Sequence, residues 1–408
     1  MRILMLTQWF DPEPAFKGLA FARELVGLGH DVEILTGFPN YPGGRLYPGY
    51  NVKPLQREVI DGISIIRVPL YPSHDGSSLK RILNYVSFAV SAALLGPFLV
   101  KPADVMYVYH PPATVGFPAM VINFLRGIPF VYDIQDLWPD TLASTGMLTN
   151  RFVLYCVRVW CKFVYNRANH LVVLSPGFKR ALTERGVIAE KVSVIYNWCD
   201  EAQLRQGLVS EEIKKEPGMV GRFNVLFAGT MGKAQALDAV LKAADIIAVH
   251  NPAVQFVFVG GGIDVDRLKH KVQEENLKNV LFLLRRPTNE MGAVFALADV
   301  LLVHLKDDPL FAITIPSKIQ AYMSSGRPIL LGVRGDAADL LGKSGAGLLC
   351  EPENPASIAL GVERFFLMSQ EKRAEIGKHG KLFYERELSL TVGVKRFNDI
   401  FRMVAGHA

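Results

Sequence analysis

The sequence predicts an α/β protein built of two Rossmann-like, doubly wound domains facing each other across a cleft. Three observations carry that expectation. Short apolar runs alternate with stretches of helical periodicity, a charged Gly- and Pro-containing stretch interrupts them once, and the alternation then starts again over a similar length. At 408 residues the chain also exceeds what one ordinary core holds.

In the first half, RILMLT (2–7) is an apolar run, GLAFARELVGLG (18–29) has helical spacing, and DVEILTGF (31–38) is the next strand. The rhythm resumes at ADVMYVY (103–109), IPFVYDI (128–134), HLVVLS (170–175) and VSVIYN (192–197). QGLVSEEIKKEPGMVGRF (206–223) reads as the interdomain linker. Beyond it follow NVLFAGT (224–230), a helix over 237–250, VQFVFVGGG (254–262), NVLFLL (279–284), VLLVHL (300–305) and PILLGV (328–333). The expected domains are 1–200 and 201–385, with 386–408 a C-terminal helix crossing back to the first. Ligands of such sheets bind outside the carboxyl ends of the strands, so the chemistry is expected in those loops.

Half of the residues are apolar, 21% are charged, and the net charge is +6. The pI is near 9.0 and the mean hydropathy +0.20. A basic balance suits a polyanion or an anionic lipid surface, and no nucleic-acid motif, zinc spacing or aromatic–basic platform supports nucleic acid. Cys156, Cys161, Cys199 and Cys350 fit neither a metal-ligand pattern nor a disulfide framework, which points to reduced thiols in the cytoplasm. MRILML enters a strand directly, without the long apolar core of a secretory signal.

Two stretches are free of acid. Between Gly76 and Ala103 an apolar run, Val86 to Val100, is flanked by Lys80, Arg81 and Lys101. That run is shorter than the roughly 20 residues a bilayer span requires. Between Thr141 and Thr183 the charged residues are Arg151, Arg158, Lys162, Arg167, Lys179 and Arg180. Core helices with a solvated basic edge would account for both. The composition favours an interfacial surface, with Leu94, Leu95, Phe98 and Trp160 inserting while basic groups meet anionic headgroups.

FAGTMGKAQALD (227–238) places glycines after a strand and before a helix, where backbone N–H groups and the helix dipole suit an anion; Lys233 adds charge. A tight turn would use the same glycines. In TIPSKIQAYMSSGRPIL (314–330), Thr314 is a candidate N-cap, Pro316 lies in the first turn, and Ser317 and Lys318 follow. FVGGG (258–262) ends a strand with backbone that a nucleotide can approach closely.

GHDVEILTGFPNYPGG (29–44), YHPPATVGFPA (109–119), VYDIQDLWPD (131–140), VVLSPGFKRAL (172–182), VSVIYNWCD (192–200), FAGTMGKAQALD, NVLFLLRRPTNEM (279–291) and IPSKIQAYMSSGRPIL (315–330) together resemble the retaining glycosyltransferases of family 4. Their architecture is the two-domain GT-B fold. The subgroup resembled includes enzymes of FucNAc transfer and of colanic-acid and O-antigen assembly. The resemblance implies transfer of a hexose or N-acetylhexosamine from a nucleotide donor, usually UDP-linked, without cofactor or metal. It places the donor on the second domain and the acceptor, a lipid-linked or polymeric glycan, on the first.

On this sequence the resemblance assigns leaving-group stabilisation to Lys233 and Lys318, and a place at the donor sugar to His110. Donor contacts fall to Gly18, Gly229, Thr230, Gly232, Gly260, Gly261, Arg285 and Ser317. Asp133 and Asp136 lie on the acceptor side, although both residues also suit capping and loop solvation. The chain departs from the pattern at two glutamates eight residues apart, whose places are taken by Ile313 and Ala321. Contacts from the backbone of Ala312, Ile313 and Thr314 are expected instead.

The function expected is therefore that of a transferase for envelope polysaccharide, on the cytoplasmic face of the membrane as a peripheral protein. A catalytically silent partner of a transferase is the alternative that the missing glutamates suggest. A non-hydrolysing UDP-sugar epimerase shares the architecture, but the acceptor-side segments argue against it.

Overall fold

The computed structural model describes residues 1–73, 78–144, 146–207 and 218–406; residues 208–217 of the expected linker lie outside it. The chain divides into two compact units, Met1–Tyr196 with Gly393–Ala408, and Asn197–Val392. Each contains one sheet, as the two rounds of alternation predict.

The first sheet has eight strands: β1 (Arg2–Thr7), β2 (Asp31–Gly37), β3 (Gln56–Ile60), β4 (Ile63–Val68), β5 (Val105–His110), β6 (Phe130–Ile134), β7 (His170–Val173) and β8 (Val192–Val194). Their order is β3-β4-β2-β1-β5-β6-β7-β8. All pairings are parallel except β3 with β4. The central strands are buried along their whole length, as parallel strands covered on both faces must be. The β3–β4 hairpin is absent from the sequence expectation. Its signal is Asp61–Gly62, both at positive φ (52° and 79°), the pair that a two-residue hairpin turn favours.

The second sheet is wholly parallel: β9 (Phe223–Thr230), β10 (Val254–Gly261), β11 (Val280–Leu283), β12 (Val300–His304), β13 (Ile329–Gly332) and β14 (Gly347–Leu349), in the order β11-β10-β9-β12-β13-β14. Its core joins Val225, Phe227, Phe256 and Phe258 of the strands to Val240, Leu241 and Ala244 of the helix Leu237–Ala248. Connection order reverses between β1 and β5 in one sheet and between β9 and β12 in the other. Those two points open the crevices where doubly wound sheets take ligands.

The apolar run at 86–100 is part of a longer helix, Ser78–Leu99, whose stretch Leu79–Leu99 has the length and composition of a membrane span. The expected shortness is thus corrected: Leu79, Ile82 and Leu83 extend the run past Lys80 and Arg81. One side of the helix is nonetheless built into the unit. Tyr85, Phe88, Ala89, Ala92 and Ala93 are buried, and Asn84 is fully enclosed. The Asn84 amide donates to Tyr71 O (2.7 Å) and Asn40 Oδ1 (3.1 Å), and its oxygen accepts from Gln8 Nε2 at 2.6 Å. The helix Leu390–Val404 contributes Phe397 and Phe401 to the first unit. Phe397 meets Phe21 and Tyr107 edge-on, at ring centroid distances of 5.3 and 5.5 Å.

Candidate active site

At the crevice of the second sheet two neighbouring strands carry glycine near their ends. Gly229 of β9 and Gly260 of β10 are register partners, with φ of 126° and 140°. A Cβ on Gly260 would collide with the Gly229 carbonyl oxygen, so glycine is obligatory there. Thr230 and Gly261 continue the register as the exposed and half-buried ends of the strands. The result is bare backbone that a ligand can approach closely.

Lys318 supplies the charge. It opens the helix Lys318–Ser325, its Nζ stands 3.7 Å from the centroid of the Phe227 ring, and a Cβ on Gly229 would lie 3.5 Å from that Nζ. The ammonium is buried and meets no hydrogen-bond acceptor among the described residues. Desolvation pushes its pKa down to about 7. A buried cation without a partner is costly, and an anion beside Gly229 would relieve it.

Other expected donor residues divide. Lys233 does not join Lys318; it is exposed and lines a groove with Asp238, Lys242, Arg267, Lys306 and Glu353. The amide of Gly232 is already used, donating to Gln235 Oε1 at 3.0 Å, and Met231 N donates to Gly261 O at 2.8 Å. Arg285 and Ser317 are exposed, Arg285 in the loop after β11. Thr314 is not an N-cap. The short helix Pro309–Ala312 precedes it, and the Thr314 hydroxyl donates back to Leu310 O at 2.8 Å, while Ser317 takes the cap position of the next helix. Ala312, Ile313 and Thr314 are half-buried, and Gly335 fits under Ala312 only because it lacks a Cβ.

His304, which the sequence reading passed over, holds this region together. It ends β12 fully buried, with Nδ1 2.7 Å from Gln235 O and Nε2 accepting from the Glu353 amide at 3.0 Å. That pairing requires the neutral ring with its proton on Nδ1, and burial lowers the pKa accordingly.

At the crevice of the first sheet, His110 ends β5 with no exposed surface and, among the described residues, no hydrogen-bond partner for either ring nitrogen. Burial drops its pKa to about 3, so the ring is neutral. Tyr132 and Trp138 flank it, at centroid distances of 5.5 and 5.8 Å. Gly18 precedes the helix Leu19–Gly27 and is buried; a Cβ there would strike the Asp11 carboxylate, which caps the helix by accepting from Leu19 N at 2.7 Å.

The two acidic residues part company. Asp133 is enclosed and saturated: Oδ2 takes Lys17 Nζ at 2.6 Å and the Tyr107 hydroxyl at 2.7 Å, and Oδ1 takes Gln135 Nε2 at 2.7 Å. Its place is inside the first unit, not at a ligand surface. Asp136 remains partly accessible, and desolvation alone raises its pKa to about 6. Glu13, another residue the sequence reading passed over, is buried and raised to about 7 by desolvation. It accepts from the amides of Phe10, Asn40 and Tyr41.

Among the described residues no group of three His, Cys, Asp or Glu side chains is placed to hold a metal ion. The four cysteines are free.

Residues 19–198 match the model of the glycosyl transferase 4-like domain, and residues 209–383 match that of glycosyl transferases group 1. The "Putative colanic acid biosynthesis glycosyl transferase WcaI" of Escherichia coli K12 is 25% identical over 92% of this chain and 93% of its own. The alpha-galactosylglucosyldiacylglycerol synthase of Streptococcus pneumoniae is 29% identical over 56% of this chain and 60% of its own. Among solved structures, sucrose-phosphate synthase of Thermosynechococcus elongatus superposes over the full length of both chains with a TM-score of 0.71 at 15% identity. HepE of Anabaena in complex with UDP-glucose superposes over 99% of this chain and 100% of its own, at a TM-score of 0.69 and 16% identity. With each half matched by its own domain model and the whole fold shared, the chain belongs to the family 4 glycosyltransferases of GT-B architecture.

Proposed function

We propose that the protein transfers a hexose or N-acetylhexosamine from a UDP-linked donor, with retention of configuration and without a metal, to a lipid-linked glycan at the cytoplasmic face of a membrane. The observation that carries the donor half is Lys318: a buried ammonium with no hydrogen-bond acceptor among the described residues, beside the bare Gly229–Gly260 backbone, is suited to a diphosphate. HepE is a structural neighbour in complex with UDP-glucose, which supports the same nucleotide.

The surface of the first unit supports the acceptor half. On the helix Ser78–Leu99, Leu79, Leu83, Val86, Val90, Leu94 and Phe98 form an exposed apolar stripe, Phe98 82% exposed. Phe117 and Phe124 stand out from the helix Gly116–Arg126, Phe124 at 86%. The helix Arg151–Arg167 exposes Phe152, Tyr155 and Phe163 beside Arg151, Arg158 and Lys162. Aromatic and aliphatic tips among basic groups fit an anionic interface. Trp160 and Leu95, expected as tips, are half-buried instead, and the Trp160 indole N–H donates to Ala113 O at 3.3 Å. The streptococcal relative is named for synthesis of a glycosylated diacylglycerol, which supports a lipid acceptor.

Thermal unfolding across a panel of nucleotide sugars tests the donor. A ligand at 100 times its Kd stabilises by about 2.7 kcal/mol. UDP-sugars should raise the Tm where the matching free sugars do not. No shift with any UDP-sugar or UDP would refute the assignment.

A further inference from the structure

In the second sheet, β9 and β12 separate before either strand ends. They pair at Val225–Val300 and Leu226–Leu301, and among the described residues that pairing stops at Leu226. On its other side β9 stays paired with β10 as far as Thr230–Gly261. β12 likewise runs on against β13 to His304–Gly332. The gap between β9 and β12 therefore begins at Phe227.

Alternate residues of a strand turn their backbone groups toward the same neighbour. Asp299 N donates to Asn224 O at 2.9 Å, so Asn224, Leu226 and Ala228 face β12. At Ala228, however, the partner is a side chain. The Ala228 amide donates to the Tyr322 hydroxyl at 2.9 Å, and that hydroxyl donates back to Ala228 O at 3.4 Å. One hydroxyl can both accept and donate, so it stands in for the absent strand backbone. Tyr322 is fully buried, and its ring meets Phe295 edge-on at 5.2 Å.

Tyr322 and Lys318 are four residues apart on the helix Lys318–Ser325, which places them on one face. One turn before the hydroxyl closes on Ala228, the ammonium stands over the Phe227 ring beside Gly229. The two side chains thus grip three consecutive residues of β9, of which the bare glycine is the last. We propose that Tyr322 is a positioning residue of the donor site: its hydroxyl, by occupying the strand end at Ala228, fixes the helix so that the Lys318 ammonium stays against Gly229. It acts through Lys318 and not on the ligand. This rests on the donor assignment above and adds the residue that keeps its cation in place.

Tyr322→Phe removes the hydroxyl while keeping the ring and its contact with Phe295. The first measurement on this variant needs no ligand. The rate at which a trace amine reagent labels Lys318 is followed against pH by peptide mass spectrometry, with the exposed Lys233 as reference. Wild-type Lys318 should label with a midpoint of about 7, where burial holds its pKa. In Tyr322→Phe the midpoint should rise by about one pH unit or more, as the ammonium regains solvent. The titratable groups facing it, His304 and Tyr322 itself, are kept neutral by burial between about pH 7 and 10, so the profile reports the lysine.

The second measurement is UDP affinity by calorimetry. Tyr322→Phe should weaken UDP about tenfold, the loss expected when one hydrogen-bonded contact fails. In a Lys318→Ala background it should cost less than about twofold, because both changes then remove the same interaction. A merely structural tyrosine would lower the Tm, leave the labelling midpoint unmoved and give additive UDP losses, and that result would overturn the proposal. Wild-type protein that fails to bind UDP would refute the donor assignment instead, and the labelling midpoint would still decide for or against Tyr322.

Discussion

Lys17 Nζ lies 2.6 Å from Asp133 Oδ2, and neither side chain has any exposed surface. The Tyr107 hydroxyl and the Gln135 amide complete the shell around the carboxylate. Breaking such a pair from one side strands a buried charge, at a cost of about 3–5 kcal/mol. Lys17→Met should therefore lower unfolding stability by that amount in a urea titration. Lys17→Met combined with Asp133→Leu should lose less than the two single changes added together. Strict additivity would show that the two groups do not depend on each other.

Lys318→Ala should reduce UDP-sugar turnover by roughly 10²-fold or more, the range for removal of one preorganised charge at a leaving group. Lys233→Ala, at an exposed position, should change it far less.

The same lysine makes donor binding depend on pH. Its folded-state pKa is lowered from 10.5 to about 7. The free site is therefore largely neutral above pH 7, and a bound diphosphate would restore the charge. UDP binding should take up protons between about pH 7 and 10, and affinity should fall as pH rises through that window. For stability the sign is opposite: a depressed lysine favours the fold at high pH, and its contribution is lost as pH falls toward 7. Calorimetry in buffers of differing ionisation enthalpy reads the proton uptake; none at pH 8.5 would refute the mechanism.

Gly260→Ala combines a strained φ of 140° with a collision against the Gly229 carbonyl. UDP affinity should drop at least tenfold, and the Tm should fall by several degrees. Gly43→Ala, where a Cβ meets nothing within 4 Å, serves as the control and should change neither.

Flotation with anionic and neutral vesicles checks the lipid surface. Wild-type protein should float with anionic vesicles at low salt and less well as salt rises, because screening shortens the attraction to about 8 Å at physiological strength. Phe98→Glu together with Phe124→Glu should weaken flotation while leaving UDP affinity intact. Protein that stays in solution under every condition would leave the stripe as ordinary surface.

Turnover should persist in EDTA and gain nothing from manganese. Loss of activity in EDTA with recovery on adding manganese would show that a metal ion is required.

The fold was legible because the strands of both sheets are apolar along their length, and period and turn residues mark their ends. The β3–β4 hairpin escaped because QREVI, at a sheet edge, opens with three polar residues and buries none of its side chains fully, unlike the continuous apolar runs around it. The site was harder to read. Lys318 and the Gly229–Gly260 pair were visible as motif residues, but that no described residue gives the ammonium a hydrogen-bond acceptor is a property of three dimensions. Asp133 looked like Asp136 in sequence, the two lying three positions apart in VYDIQDLWPD. Only the fold brings Lys17, over a hundred positions away, to neutralise one and not the other. His304 lay in plain view in VLLVHL, yet its two partners, Gln235 and Glu353, come from distant loops, and no local pattern announces them.

The placement of Phe397 and Phe401 against Phe21 and Tyr107 has a consequence for biosynthesis. The first unit is interrupted by Asn197–Val392, so the ribosome makes the whole second unit before the segment that completes the first. Until Gly393 onward emerges, the rings of Phe21 and Tyr107 lack part of their covering. The amino-terminal unit is then finished last, after its successor has had time to fold, reversing the usual order in which domains mature during synthesis. A ribosome stalled before that final helix should hold a second unit resistant to protease and a first unit that is still cut.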